Sequence, residues 1–140
     1  MADARPKSFN ERVIEDFRSH DGQITSGPFT GRSLLLLTTK GAKTGDDRTS
    51  PLAYSRDGDR LVIIASKGGA PTNPQWFYNV KANPEVEIEL GTETIPVRAR
   101  IATGDERERI WSKQKQLMPG FASYEKKTSR EIPVIVLERR

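Results

Sequence analysis

The chain has 140 residues, 34% hydrophobic and 30% charged, with a net charge of +4, one histidine and no cysteine. That length suits one domain with a buried core and no covalent staple. Without cysteine there can be no disulfide, thiolate metal site or cysteine nucleophile, and the single His20 argues against a histidine-rich metal centre or a Ser-His-Asp triad.

Met1 to Pro6 is short and polar, without the apolar core of a signal peptide. No apolar run approaches a membrane span, so a cytoplasmic protein is expected. Ser8 and Glu11 form a capping-box pattern, and Phe9, Val13, Ile14 and Phe17 follow on one helical face. This predicts an N-terminal helix over about residues 8–19, with His20 at its exposed end. Gly22 to Thr30 reads as loop. Strands are predicted over Ser33–Thr39, Arg48–Ser55 and Arg60–Ser66, the last two joined by an Asp57-Gly58 turn, and the three are expected to form an antiparallel meander.

Asn73 can cap a second helix, with Pro74 in its first turn and Asn83-Pro84 at its end. Val86, Ile88 and Leu90 alternate with glutamates as in a half-buried strand. Ile95, Val97, Ala99 and Ile101 form another, in which Pro96 suggests an edge position. Thr103 and Glu106 repeat the capping-box pattern ahead of a third helix, which Pro119-Gly120 breaks. Ile132–Leu137 is a final apolar strand. About six strands with short connections predict a mainly β, α+β domain over residues 1–140, an antiparallel sheet or small barrel with helices at its ends.

Two glycine-containing basic turns stand out, Thr38 to Gly45 with Arg48, and Ala65 to Pro71. Glycine lets backbone approach a ligand, Lys and Arg neutralise an anion, and the helix start at Asn73 offers free N–H groups. They suit a phosphorylated or polycarboxylate ligand, or equally two solvated loops. Gly41-Ala42-Lys43-Thr44 is not a P-loop, because Ala42 precedes the lysine and a strand follows it. No strand is followed by G-x-G-x-x-G, acidic residues do not cluster as metal ligands, and aromatics are not interleaved with a basic strand. No metal and no nucleic acid is expected; nucleic-acid binding would rest on net charge alone.

The runs Leu34-Leu35-Leu36-Leu37-Thr38-Thr39-x-Gly41-x-Lys43-Thr44-Gly45-x-x-Arg48-Thr49-x-Pro51-Leu52 and Ala65-Ser66-Lys67-Gly68-Gly69-Ala70-Pro71-x-Asn73-Pro74-x-Trp76-x-x-Asn79 resemble the deazaflavin-dependent nitroreductases, actinobacterial oxidoreductases that use coenzyme F420. The resemblance implies a split β-barrel related to the flavin-mononucleotide-binding barrels. It implies hydride transfer from F420H2 to a quinone, enone or nitroaromatic. It places the cofactor's phosphate and oligoglutamate tail near Lys43 and Arg48, and its ring and phosphate near Ser66 and Lys67. Thr49, Pro51, Gly68, Gly69, Ala70, Trp76 and Asn79 complete the cofactor set. Ser66 and Tyr124 are the preferred proton-handling residues, with bulk water an equal source and Tyr54 and Tyr78 as further candidates.

An acceptor pocket of Ala53, Met118, Phe121 and Tyr124 follows from the same resemblance; the N-terminal helix either covers that site, adding Phe17 to the pocket, or simply packs on the barrel. Family tyrosines are replaced here by Ala53, Met118 and Phe121, so a different acceptor preference is expected. The expected partner is a small-molecule acceptor, reached either from the cytoplasm or by weak association with the inner face of the membrane. Acids and bases balance between Lys7 and Arg18, which argues against strong membrane binding. Oligomeric state is open, with a monomer slightly favoured. Two other readings use the same barrel: a flavin-mononucleotide reductase and a non-catalytic cofactor or tetrapyrrole carrier.

Overall fold

The computed structural model describes residues 8–140; Met1–Pro6, read above as polar and signal-free, and Lys7 lie outside the described residues. The elements in order are α1 (Phe9–Ser19), β1 (Leu34–Lys40), β2 (Asp47–Ala53), β3 (Ser55–Asp57), β4 (Arg60–Ile64), a 3-10 turn (Lys67–Gly69), α2 (Gln75–Ala82), β5 (Glu85–Leu90), β6 (Glu93–Ile101), α3 (Gly104–Leu117), α4 (Gly120–Lys127) and β7 (Val134–Arg139). The seven strands form one sheet in the order β2-β1-β5-β6-β7-β4-β3. Every neighbouring pair is antiparallel.

The two outermost strands, β2 and β3, are separated in sequence by Tyr54 alone. The sheet must therefore curl until its edges meet at that residue, which makes a barrel with a split between unbonded edges. The expected three-strand meander is corrected here. β2 pairs with β1 and β3 pairs with β4, but β2 and β4 do not pair. The segment predicted as one strand bends at Tyr54 and serves both edges.

Side-chain alternation explains which strands read as continuous apolar runs. In β1, Leu35 and Leu37 point into the barrel, while Leu34 and Leu36 point outward under α1 with Val13, Phe17 and Ile24. In β4 and β7, Leu61, Ile63, Ile135 and Leu137 face inward, and Val62, Val134 and Val136 pack under α3 against Ile110 and Trp111. Such strands are covered on both faces, so neither face is polar. β5 and β6 keep one wet face and alternate cleanly. Trp76, Phe77 and Val80 of α2 close the barrel interior. Full burial of each such side chain contributes about 1.5–3 kcal/mol.

Ser8 caps α1 as predicted, its hydroxyl accepting from the Glu11 N–H at 3.1 Å. Three other expectations are overturned. Asn73 does not cap α2; Pro74 holds the cap position, and the Asn73 amide oxygen accepts from Arg130 at 2.7 Å. Thr103 makes no side-chain cap, and Glu106 pairs with Arg100 and Arg60 instead. Pro96 is not in an edge strand, since β6 lies between β5 and β7. The β7 ladder starts one residue later, at Val97, so the missing Pro96 N–H breaks no paired bond.

Candidate functional site

A cavity of about 290 Å³ opens at the split of the barrel. One wall comes from β2 and the seam, with Pro51, Leu52, Ala53 and Tyr54. Another comes from Val62 and Ile64 of β4 and from Ser66 and Lys67 beyond it. The start of α2 supplies Pro74 and Trp76, and the ends of α3 and α4 supply Gln114, Met118, Phe121 and Tyr124. Phe29, Arg32 and Leu34 complete the rim. Among the described residues the lining holds two cations, Arg32 and Lys67, and no carboxylate. A larger groove of about 350 Å³ beside β1 and β5 is lined by Asp47, Glu85 and Glu87 against Lys40 and Arg140. An apolar slot with cations at its mouth suits a planar ring carrying an anionic tail; the mixed groove does not.

Ser66 is 8% exposed and lies just before the 3-10 turn, where Lys67 adopts a φ of +49° and Gly69 a φ of +83°. That strained path is held by Arg130. Its guanidinium donates to the Ala70 carbonyl (3.0 Å), the Ala65 carbonyl (3.3 Å), the Ser66 carbonyl (2.8 Å) and the Asn73 amide oxygen (2.7 Å). All four acceptors are uncharged, so the clamp adds positive potential beside Ser66 and Lys67 without an acid to cancel it. Among the described residues the Lys67 ammonium donates only to the Thr72 hydroxyl, at 3.3 Å.

Lys43 and Arg48 are exposed at the other end of β2. Among the described residues neither has an ion-pair partner. Arg48 stands three residues from Pro51, ~10 Å along a strand. The structure does not bring these cations to the cavity wall. Asn79, 1% exposed, fixes their turn. Its amide oxygen accepts from the Ala42 N–H at 3.0 Å and its nitrogen donates to the Thr39 hydroxyl at 3.0 Å. Asn79 thus supports the turn from below rather than facing a ligand.

Of the residues singled out in the sequence, Pro51, Ala53, Ser66, Lys67, Trp76, Met118, Phe121 and Tyr124 meet at the cavity. The Thr49 hydroxyl is bound to Thr38 at 2.9 Å, away from it. Gly68, Gly69 and Ala70 form the turn behind Lys67. A Cβ on Gly69 would lie 3.0 Å from the Tyr124 carbonyl, so this glycine seats α4 against the turn. Phe17 is a correction: it is 1% exposed under α1, and Phe29 takes the place at the rim expected for it. Arg32, Gln114 and Arg130 escaped the sequence reading. A polar residue at the end of the α3 apolar face was the only available signal for Gln114.

The curled antiparallel sheet is the fold of the split barrels. An FAD-binding protein from Mesorhizobium loti shares the fold at 16% identity, TM-score 0.50, over 76% of this chain and 78% of that one. The profile of the F420H(2)-dependent quinone reductases matches residues 10–139, and the chain belongs to that family. An F420H(2)-dependent quinone reductase of Mycobacterium tuberculosis, Rv1261c, is 45% identical over 109 residues, 76% of this chain and 73% of the relative. The solved F420-H2-dependent reductase FDR-A is 42% identical, with TM-score 0.68 over 75% of this chain and 93% of that one. A structure described as a domain-swapped dimer is 37% identical, with TM-score 0.71 over 91% and 92%. Family membership makes the chain an oxidoreductase dependent on F420H2, with quinones as the acceptor class.

Proposed function

We propose that the split cavity is where this chain binds F420H2 and a quinone together. The observation that carries this is the charge of the lining: among the described residues, two cations and no carboxylate on a largely apolar slot. When bound, F420H2 supplies the hydride. Trp76, Pro51 and Leu52 would flank its ring, Lys67 its phosphate, and Lys43 and Arg48 its tail. The acceptor would enter past Phe29, Met118 and Phe121, whose apolar faces exclude water. A quinone needs one proton beyond the hydride. Ser66, Tyr54 and Tyr124 bring hydroxyl-bearing side chains to the wall, and of these Ser66 and Tyr124 would hold or relay it from solvent.

A monomer is proposed as the working unit, since one chain supplies walls to the cavity from β2, β4, α2, α3 and α4. Of the apolar face of α1, Val13 and Phe17 are taken up in packing against Leu34 and Leu36, while Phe9 stays 42% exposed beside Phe29. Among the described residues no helix is long and apolar enough to cross a membrane. Access to a lipid-soluble quinone is therefore proposed from the aqueous side, with at most weak surface contact.

Charge reversal tests the tail site. Lys43→Glu and Arg48→Glu should each weaken F420 binding at least tenfold, about 1.4 kcal/mol, in a fluorescence titration. Unchanged affinity in both would remove Lys43 and Arg48 from the site.

A further inference from the structure

Gln114 is 3% exposed, the most buried polar side chain on the cavity wall. Its amide oxygen accepts from the Ser55 hydroxyl at 2.8 Å, and its nitrogen lies 3.3 Å from the Met118 sulfur. Rotating the amide would set its oxygen against that sulfur, two acceptors face to face, so the nitrogen belongs on the Met118 side. A thioether is a weak acceptor on a flexible side chain. The buried amide thus keeps a donor that the protein only partly satisfies. Around it the wall is apolar, with Ala53, Val62 and Phe121.

We infer that Gln114 donates a hydrogen bond to a carbonyl oxygen of the acceptor, with the Met118 thioether as a placeholder that yields when the acceptor enters. The inference rests on the cavity being the reductase site. A quinone becomes a hydroquinone by taking one hydride from F420H2 and one proton from solvent. Negative charge develops on the carbonyl oxygen conjugated to the ring carbon that receives the hydride until the proton arrives there, and transfer of one proton from that carbon to the other oxygen, through solvent, then gives the hydroquinone. A donor fixed in a water-poor wall stabilises that oxygen more in the transition state than in the bound quinone. Ser55 acts through Gln114, holding its oxygen so that the nitrogen is presented.

The test uses the full chain with F420H2 and a water-soluble 1,4-naphthoquinone under anaerobic conditions. Gln114→Met keeps the volume and removes the donor; kcat should fall about 100-fold, with F420 affinity and Tm close to wild type. Gln114→Glu keeps the Ser55 contact but presents an acceptor unless protonated. Its kcat should rise as pH falls, over a range where wild type is flat, because only the protonated carboxyl donates. Ser55→Ala should lose less than Gln114→Met. An active Gln114→Met variant within twofold of wild type, or a Gln114→Glu profile parallel to wild type, would overturn the donor role alone. A wild type that binds no F420 would overturn the site reading beneath it.

Discussion

Arg130 shows how a single residue can set a binding site without lining it. One guanidinium bridges Ala65, Ser66, Ala70 and Asn73, and so shapes the turn that presents Ser66 and Lys67. Arg130→Lys keeps the charge but cannot span four acceptors with one ammonium. It should weaken F420 binding about tenfold, or 1.4 kcal/mol, while Arg130→Met should also lower Tm. Fluorescence titration and thermal melting check the two outcomes, and an Arg130→Lys variant that binds like wild type contradicts the clamp. None of this was legible beforehand. Ser66, Lys67 and Trp76 announced themselves through a glycine-rich basic turn running into a helix start. Arg130 lies 64 residues from Ser66, and its partners are mostly carbonyls that any residue carries. The same long-range pull explains Asn73: a local capping preference lost to a charged donor from another part of the chain.

At the scale of elements, α4 is the piece that joins the cavity to the rest of the molecule. It has no fully buried residue, and Pro119-Gly120 ahead of it reads as a break, so no periodicity marked it as a helix. Its ties are specific instead. The Trp111 indole N–H and the Lys115 ammonium of α3 both donate to Glu125, and the indole bond, followed by Lys115, holds the Glu125 carboxyl below its ordinary value of 4.5. A carboxylate with a lowered folded pKa contributes stability in full above 4.5 and loses it as pH falls through the folded value. Acid below about pH 4.5 should therefore loosen α4 from α3 and dequench or shift Trp111 emission; Glu125→Gln should flatten that dependence. On the other side, Gly69→Ala places a Cβ at φ +83° within 3.0 Å of the Tyr124 carbonyl. A loss of about 1–3 kcal/mol is expected in denaturant unfolding. Neutral behaviour would mean that α4 is not seated on the turn.

For the whole molecule, the barrel follows from one residue, Tyr54, that divides an extended segment between the two edges of the sheet. The strands themselves were legible from alternation and from doubly covered apolar runs, and so was an antiparallel barrel with helices. The pairing was not, because β4 lies between β3 and β7, a strand some 70 residues on, and does not pair with β2. The three clusters share strands, since β1, β4 and β7 each present one face inward and the other to a helix. They should unfold as one unit. Trp76 reports the interior and Trp111 the α3 side, so Trp76→Phe and Trp111→Phe variants should each retain a single urea transition whose fluorescence and far-UV circular dichroism midpoints coincide. Separate midpoints within either variant would show that the barrel and its outer layer come apart independently.

The central claim is that the split cavity binds reduced deazaflavin and passes its hydride to a quinone. The most direct measurement mixes the protein and F420H2 anaerobically with a 1,4-naphthoquinone and follows the return of oxidised F420 absorbance, with reduced flavin mononucleotide in a parallel run. Protein-dependent oxidation of F420H2, preferred over the flavin and diminished by Lys43→Glu, is the predicted result. Turnover with the flavin alone, or tight F420 binding without oxidation, would contradict the account.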